Sequence, residues 1–274
     1  MRWQLFAAGS CRHLEAAAVR RGAWRHAVFP ALFAAVETPD GWLVIDTGYA
    51  PRVLELCRTG WWRLYPWLLP VDISSGRAAA AQLKTVEIAG VFLTHFHADH
   101  TGGLRDFPGV PVYAGRDAWE AVRNLGGLAS LRAAHLPELL PGDFAKRVRL
   151  IDCGLIKPPE WVPEGWSHGA DVLGDGTLWA VPLPGHAAGQ LGILFRDEAG
   201  KIVFLVADAM WRADWLLEHH GPRWPVRFIT HNWRAYQQTL TRLRRLSAAR
   251  PDIRMVPFHC ATTAREFGVE GDWL

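Results

Sequence analysis

Ile88-Ala89-Gly90-Val91-Phe92-Leu93-Thr94-His95-Phe96-His97-Ala98-Asp99-His100 decides how this chain is read, because an apolar run there breaks into three imidazoles and a carboxylate within six residues. A short apolar run of this kind reads as a buried strand, and its polar end as a strand terminus. Side chains at i and i+2 of an extended segment point the same way, so His95 and His97 can converge on one ion. Asp99 and His100 must then point elsewhere. Gly102 and Gly103 allow a sharp turn just beyond, and if a helix starts there the adjacent Asp99 and His100 can face a second ion. Imidazole and carboxylate donors suit a borderline cation such as zinc.

The same pattern recurs along the chain. Trp42 to Ile45 ends at Asp46, followed by Thr47-Gly48, and Trp179 to Leu183 leads through Pro184-Gly185 to His186. Ile202 to Ala207 ends at Asp208, and Ile253 to Phe258 ends at His259. With the run before His95, five strands ending in His or Asp predict one shared rim, since ligand sites in layered α/β proteins gather at strand ends. A carboxylate abutting an apolar run, as Asp208 does, is costly to bury unless it is paired or holds a cation. In Pro184-Gly185-His186-Ala187-Ala188-Gly189, the flanking glycines permit a tight turn and close backbone approach.

Helical spacing predicts helices over 76–83, 116–124, 128–135, 214–219 and 233–249, the last with Tyr236, Leu240, Leu243 and Leu246 on one face. Thr38-Pro39-Asp40-Gly41 and Asp197-Glu198-Ala199-Gly200 each separate two apolar runs, as hairpin turns do. Hairpins among helical crossovers predict mixed sheets in a layered sandwich rather than an all-parallel doubly wound sheet.

With 274 residues and no linker, repeat or low-complexity break, the chain reads as a single domain, 1–274. A net charge of +3, and a helical setting for the run Arg242-Leu243-Arg244-Arg245, argue against a nucleic-acid partner. Four scattered cysteines suggest neither a disulfide framework nor a thiolate metal site, and fit a cytoplasmic location. No stretch has the ~20 apolar residues that span a bilayer. Fifteen tryptophans are far above the usual share, which places some of them at a binding surface. The segment 61–70, with three tryptophans, a tyrosine and two prolines, suits core packing, a lid, a subunit contact such as a homodimer interface, or a shallow membrane-surface element.

Thr94 to Gly103 resembles the H-x-H-x-D-H signature of the metallo-β-lactamase superfamily, and Asp46-Thr47-Gly48, Pro184 to Gly189, Ala207-Asp208 and His259 follow in that family's order. The resemblance runs from about Phe33 to Cys260. It implies an α/β fold, a four-layer αββα sandwich of two mixed β-sheets flanked by helices, with two divalent metal ions, zinc first and iron or manganese as alternatives. It further implies that His95, His97 and His186 hold one ion, that Asp99, His100 and His259 hold the other, and that Asp208 bridges both. Asp46 would orient a ligand imidazole. The remaining histidines, at 13, 26, 135, 168, 219, 220 and 231, read as surface or core positions.

Two adjacent ions lower the pKa of a shared water enough to supply a hydroxide nucleophile, while polarising a substrate carbonyl. Asp208 bridges and Asp99 can carry a proton, which makes these two the catalytic candidates. The tryptophan content points to a small-molecule substrate with a hydrophobic part, a lactone or carboxylic ester. The pattern is most similar to that of N-acyl homoserine lactone lactonases, with one departure. Those enzymes commonly carry a Tyr three residues after the bridging Asp, where this chain has Trp211. An indole N–H donates a hydrogen bond but is not a phenol acid. Tyr65 and His219 are the candidates to stand in for it, and with Trp211 they form the expected substrate-binding set. Thioester hydrolysis of the glyoxalase II kind, or phosphodiester hydrolysis, would call for a basic anchor, for which Arg105, Arg212 and Arg234 are candidates, although each reads first as a surface or ion-pair residue. A non-catalytic small-molecule-binding member of the fold is the alternative of another class.

Overall fold

The computed structural model describes residues 1–154, 156–217 and 219–271. The apolar runs become strands of two mixed sheets. The first contains β1 (Trp3–Leu14), β2 (His26–Thr38), β3 (Gly41–Ile45), β4 (Val71–Asp72), β5 (Ile88–Leu93), β6 (Val112–Gly115) and β7 (Val148–Ile151), in the spatial order β4-β1-β2-β3-β5-β6-β7. The second contains β8 (Ala170–Asp171), β9 (Leu178–Pro182), β10 (Leu191–Arg196), β11 (Ile202–Ala207) and β12 (Arg254–Pro257), in the order β12-β11-β10-β9-β8.

Both hairpin signals close as antiparallel pairs, β2 with β3 and β10 with β11. At the first, Thr38 Oγ1 donates to the Gly41 carbonyl at 2.7 Å, and Gly41 takes a positive φ of 119°. Crossovers make β3, β5, β6 and β7 parallel neighbours, and β11 and β12 likewise. Because β9 and β11 both run antiparallel to β10, they run parallel to each other. Strands β3 and β5 of one sheet therefore share a direction, as do β9, β11 and β12 of the other. The two sets of carboxyl ends are stitched together where Leu191 N–H donates to the Thr94 carbonyl (3.0 Å) and Leu32 N–H to the Phe258 carbonyl (2.9 Å).

Side-chain alternation sorts the core into three slabs. Leu32, Ala34, Leu43, Ile45 and Phe92 of the first sheet meet Ile193, Phe195, Val203, Leu205 and Val256 of the second. The opposite faces of the sheets carry the helices. Phe33, Val44, Val91 and Leu93 pack with Ala79, Leu83, Ala118 and Val122, while Val181, Leu194, Phe204 and Val206 pack with Tyr236, Leu240 and Leu243. The result is helix, sheet, sheet, helix.

Helix Trp233–Ala249 has the predicted bounds, capped by Asn232, whose side chain accepts from Ala235 N–H at 3.0 Å. The helices expected over 116–124 and 128–135 are the shorter Arg116–Val122 and Gly127–Arg132, and 76–83 resolves into a 3-10 turn, Ser75–Arg77, and the single helical turn Ala79–Gln82. A correction falls at 214–219. Only a 3-10 turn forms, Ala213–Leu216, and Glu218 lies outside the described residues. His219 sits at φ 71°, a left-handed conformation that cannot continue a helix. Segment 61–70 contains the 3-10 turn Gly60–Arg63 and the helix Leu64–Leu68. No helix among the described residues is long and apolar enough to cross a membrane, and the four cysteines are unpaired.

Candidate metal centre

The carboxyl ends of β3, β5, β11 and β12, with the turn after β9, deliver every residue of the predicted rim to one place. Donor atoms of His95, His97, His186 and Asp208 lie within 4.8 Å of one another, and so do those of Asp99, His100 and His259. His97 Nδ1 and His186 Nε2 are 3.1 Å apart, and the His95 ring lies 4.4 Å from that of His97. In the other group, His259 Nε2 is 3.3 Å from Asp99 Oδ2. Asp208 stands between the groups. Its Oδ2 lies 3.1 Å from His186 Nε2 and 3.0 Å from His259 Nε2, and its Oδ1 lies 3.2 Å from His100 Nε2.

The helical turn Ala98–Thr101 starts directly after His97, which separates Asp99 and His100 from the extended pair His95 and His97. The backbone is strained where it enters the site: Asp46 and Ala207, neither a glycine, hold φ of 62° and 45°. Such conformations cost of order 1–3 kcal/mol each and persist only where the surroundings impose them. Gly185 holds φ at 131°, and a Cβ there would fall 2.1 Å from the backbone nitrogen of Tyr236, so only glycine lets the His186 turn close against the long helix.

A hydrogen-bonded network behind the site orients the imidazoles. Asp46 Oδ1 accepts from Thr94 N–H (2.8 Å), and its Oδ2 accepts from Thr94 Oγ1 (2.7 Å) and from His100 Nδ1 (2.7 Å). Because the Thr94 hydroxyl gives its proton to Asp46, it accepts one from His95 Nδ1 at 3.0 Å. His259 Nδ1 donates to the Pro30 carbonyl at 2.8 Å. In all three rings Nδ1 is engaged and Nε2 is turned inward. The Nε2 atom of His95 is buried without a hydrogen-bond partner, while His100 Nε2 and Asp208 Oδ1 face each other at 3.2 Å. Buried polar atoms are rarely left unpaired, so the unpaired His95 Nε2 fits a site built to hold a cation. Sequence reading singled out Asp46 but missed Thr94, which is visible only as the residue before the first histidine.

Burial and the neighbouring imidazoles of His100 and His97 hold His95 well below the usual histidine range, and burial with His186 pushes His97 down to about 3. These two are neutral nitrogen donors. Burial opposes charge on His100 as well, but Asp46, Asp208 and Asp99 overcome it and raise the group to about 10. Asp208, by charge and hydrogen bond, raises His259 well above its usual range against the same burial. Despite desolvation, His259, His100 and His186 hold Asp208 well below the usual carboxylate range, and His100 and His259 hold Asp99 at about 2. The two carboxylates thus favour positive charge at His100 and His259, as they would favour a cation there.

A cavity of about 530 Å³ opens over the site, with His97, Asp99, His186, Asp208 and His259 on its floor. Its wall is largely apolar and includes Phe29, Leu69, Leu128, Trp211, Phe228 and Ile229. Trp211 lies edge-on to His186 and His259, and its Nε1 is buried without a partner. Tyr65 is buried on the wall, its hydroxyl 3.3 Å from that of Tyr49. His219 is exposed and absent from the wall, whereas His13, read as a surface or core position, lines it. None of the three arginines considered as anchors lines the cavity: Arg212 is paired with Glu15 and Asp214, Arg105 donates to the Leu140 carbonyl, and Arg234 is exposed. Arg132, which sequence reading passed over, lies on the cavity wall.

Residues 28–257 match the model of the metallo-beta-lactamase superfamily. A protein of Mycobacterium tuberculosis named as a probable metallo-hydrolase is 29% identical over 185 residues, a match that spans 64% of this chain and 55% of that protein, little more than half its length. The N-acyl homoserine lactonase AttM of Agrobacterium fabrum is 28% identical over 195 residues, covering 68% of this chain and 66% of that protein. Among solved structures, a Bacillus thuringiensis AiiA variant with N-decanoyl-L-homoserine bound at its active site superposes over 99% of this chain and 98% of its own, with a TM-score of 0.70 and 16% identity. At that identity the likeness is one of fold. Taken with the two mixed sheets and the His/Asp cluster at their shared edge, the match over residues 28–257 means that this chain belongs to the metallo-β-lactamase superfamily.

Proposed function

We propose that this protein is a dinuclear metal-dependent hydrolase that opens a lactone or carboxylic ester with a hydrophobic portion. The observation that carries this reading is the position of Asp208, whose carboxylate lies against His186 of one donor group and His100 and His259 of the other. His95, His97 and His186 would hold one ion, Asp99, His100 and His259 the other, and Asp208 both. Zinc suits these donors best, with iron or manganese as alternatives. When bound, two such ions supply an acidified water and a polarised substrate carbonyl.

This chain's residues do the rest. Asp46 fixes the His100 ring, and Thr94 fixes that of His95. Asp99, at the cavity floor with 13% of its side chain exposed, would accept the proton given up by the attacking water and pass it to the leaving alkoxide. The apolar wall holds an acyl group and excludes water. Trp211, edge-on to His186 and His259 at the cavity wall, shapes the space beside the metal ligands. Tyr65, whose hydroxyl meets that of Tyr49 on the same wall, is a phenol available in place of the tyrosine that Trp211 replaces. The names of the relatives make N-acyl homoserine lactones the first substrates to test. Four unpaired cysteines suit a cytoplasmic location.

Metal analysis of freshly purified protein, with turnover measured on lactones, esters, thioesters and phosphodiesters, tests this reading. Two equivalents of metal and turnover of the first two classes are expected. Less than one equivalent would end the dinuclear reading. Loading should release protons, because His100 and His259 are held protonated by carboxylates and must lose a proton to bind a cation. Titration calorimetry in buffers of different ionisation enthalpy reads that release. Arg132 on the cavity wall favours phosphodiesters as a second reading. Under it, Arg132→Ala would remove phosphodiester turnover with metal retained.

A further inference from the structure

Large apolar side chains on segments that build the cavity stand in solvent. Trp61 is 58% exposed, Trp67 79%, Trp224 59% and Phe228 61%. They belong to segments that also build the cavity, since Tyr65 and Leu69, Leu128, and Val226, Phe228 and Ile229 line it. The 3-10 turn Gly60–Arg63 packs against helix Gly127–Arg132, and Trp224 lies edge-on to Phe228 with ring centroids 5.6 Å apart. Exposed aromatics on this scale mark an interaction surface.

The charges among them have one sign. Residues 58–70, 126–135 and 222–231 contain Arg58, Arg63, Arg132, Arg223 and Arg227, all exposed, and no Asp or Glu. The Arg227 guanidinium lies 5.6 Å from the Phe228 ring centre. Glu138 meets the patch at its edge, where it accepts from Trp62 Nε1 at 3.1 Å. A second copy docking through a twofold axis would set this arginine-bearing face, which lacks Asp and Glu in these segments, against the same face of its partner. An anionic lipid surface complements them, and tryptophan rings settle at the level of lipid headgroups.

We infer that this face docks on an anionic lipid surface, with the cavity mouth turned toward the bilayer. The substrate would then be an amphiphile whose acyl chain partitions into lipid and enters the cavity along the Phe228 side. That last clause rests on the hydrolase reading, while the docking itself does not. The test uses the metal-loaded full chain, sedimented with vesicles of phosphatidylcholine alone or mixed with phosphatidylglycerol. Pelleting with the mixed vesicles, weaker with the neutral ones and reversed by salt, is expected. Combining Trp61→Ser, Trp67→Ser and Trp224→Ser should reduce partitioning by roughly tenfold or more, and Arg58→Glu with Arg63→Glu and Arg227→Glu should abolish the preference for anionic vesicles. Both variants should keep wild-type turnover of a short soluble ester, so a failure of docking is read separately from a failure of catalysis. No pelleting with either vesicle would overturn the proposal. So would a dimer in solution that the tryptophan variant converts to monomer, an outcome that assigns the face to a second copy.

Discussion

The floor and the wall of the cavity are built in opposite ways. On the floor, His95, His186, Asp208, His259 and Asp46 sit at or just beyond strand ends, nearly inaccessible to solvent, and hydrogen bonds to Asp46, Thr94 and Pro30 hold the imidazoles in one orientation. Much of the wall consists of 3-10 turns and short helices, among them Leu64–Leu68, Gly127–Arg132 and Trp224–Phe228, beside Cys11, His13 and Phe29 from β1 and β2, and several of its large side chains stand in water. Sheet register and close packing restrict the floor to one arrangement, whereas short turns carry different side chains at little cost to the core. Under the proposed function, the floor would set the chemistry and the wall the choice of substrate.

Substitutions should separate the two regions, and the largest effect belongs to the floor. Asp208→Ala removes the carboxylate between the donor groups and leaves three imidazoles without their shared partner. Activity should fall roughly 10³-fold, with metal content dropping below two equivalents by elemental analysis. Gly185→Ala attacks the same floor through its backbone. With its Cβ 2.1 Å from Tyr236 N, the turn must move, at about 3 kcal/mol, read as a melting temperature lower by about 6 °C at this chain length.

Asp46→Asn is subtler, because size and fold are kept while the acceptor for His100 Nδ1 is weakened. A loss of roughly 10–100-fold in metal affinity or activity is expected, measured by competition with a chelator. A null result there would show that strand geometry alone orients His100. The smallest effect belongs to the wall. Trp211→Tyr places a phenol three residues after Asp208 and should raise kcat for lactones by up to about tenfold, with metal content unchanged. If the metal content fell instead, Trp211 would belong to the floor, through its edge contacts with His186 and His259.

How far each region was legible follows from the same contrast. A strand interrupted by His or Asp is a local signal, and all five such strands converge in the structure. The helix predicted over 214–219 was not legible as a turn, because its apolar residues have helical spacing while His219 takes a left-handed backbone that spacing does not reveal. Arg212 reads from sequence as an ion-pair or surface residue before an anchor, and it is ion-paired, but its partner Glu15 lies 197 residues away, a distance no local spacing reveals. Thr94 and the Pro30 carbonyl gave no signal, since hydroxyls and backbone oxygens are everywhere and only their distances single them out.

Sequence alone determined which side chains terminate the strands and are therefore offered at a sheet edge, because alternation and turn chemistry act over a few residues. Tertiary structure decided how these side chains divide. Residues 95 to 208 to 259 meet only through the packing of two sheets, and that packing turns Asp208 toward both donor groups. It also placed Arg132, His13 and Trp211 on the cavity wall while leaving His219 outside. The reason is physical: a ligand set needs ångström distances between chain segments far apart, and such distances are set by sheet register and core volume, which no local spacing encodes.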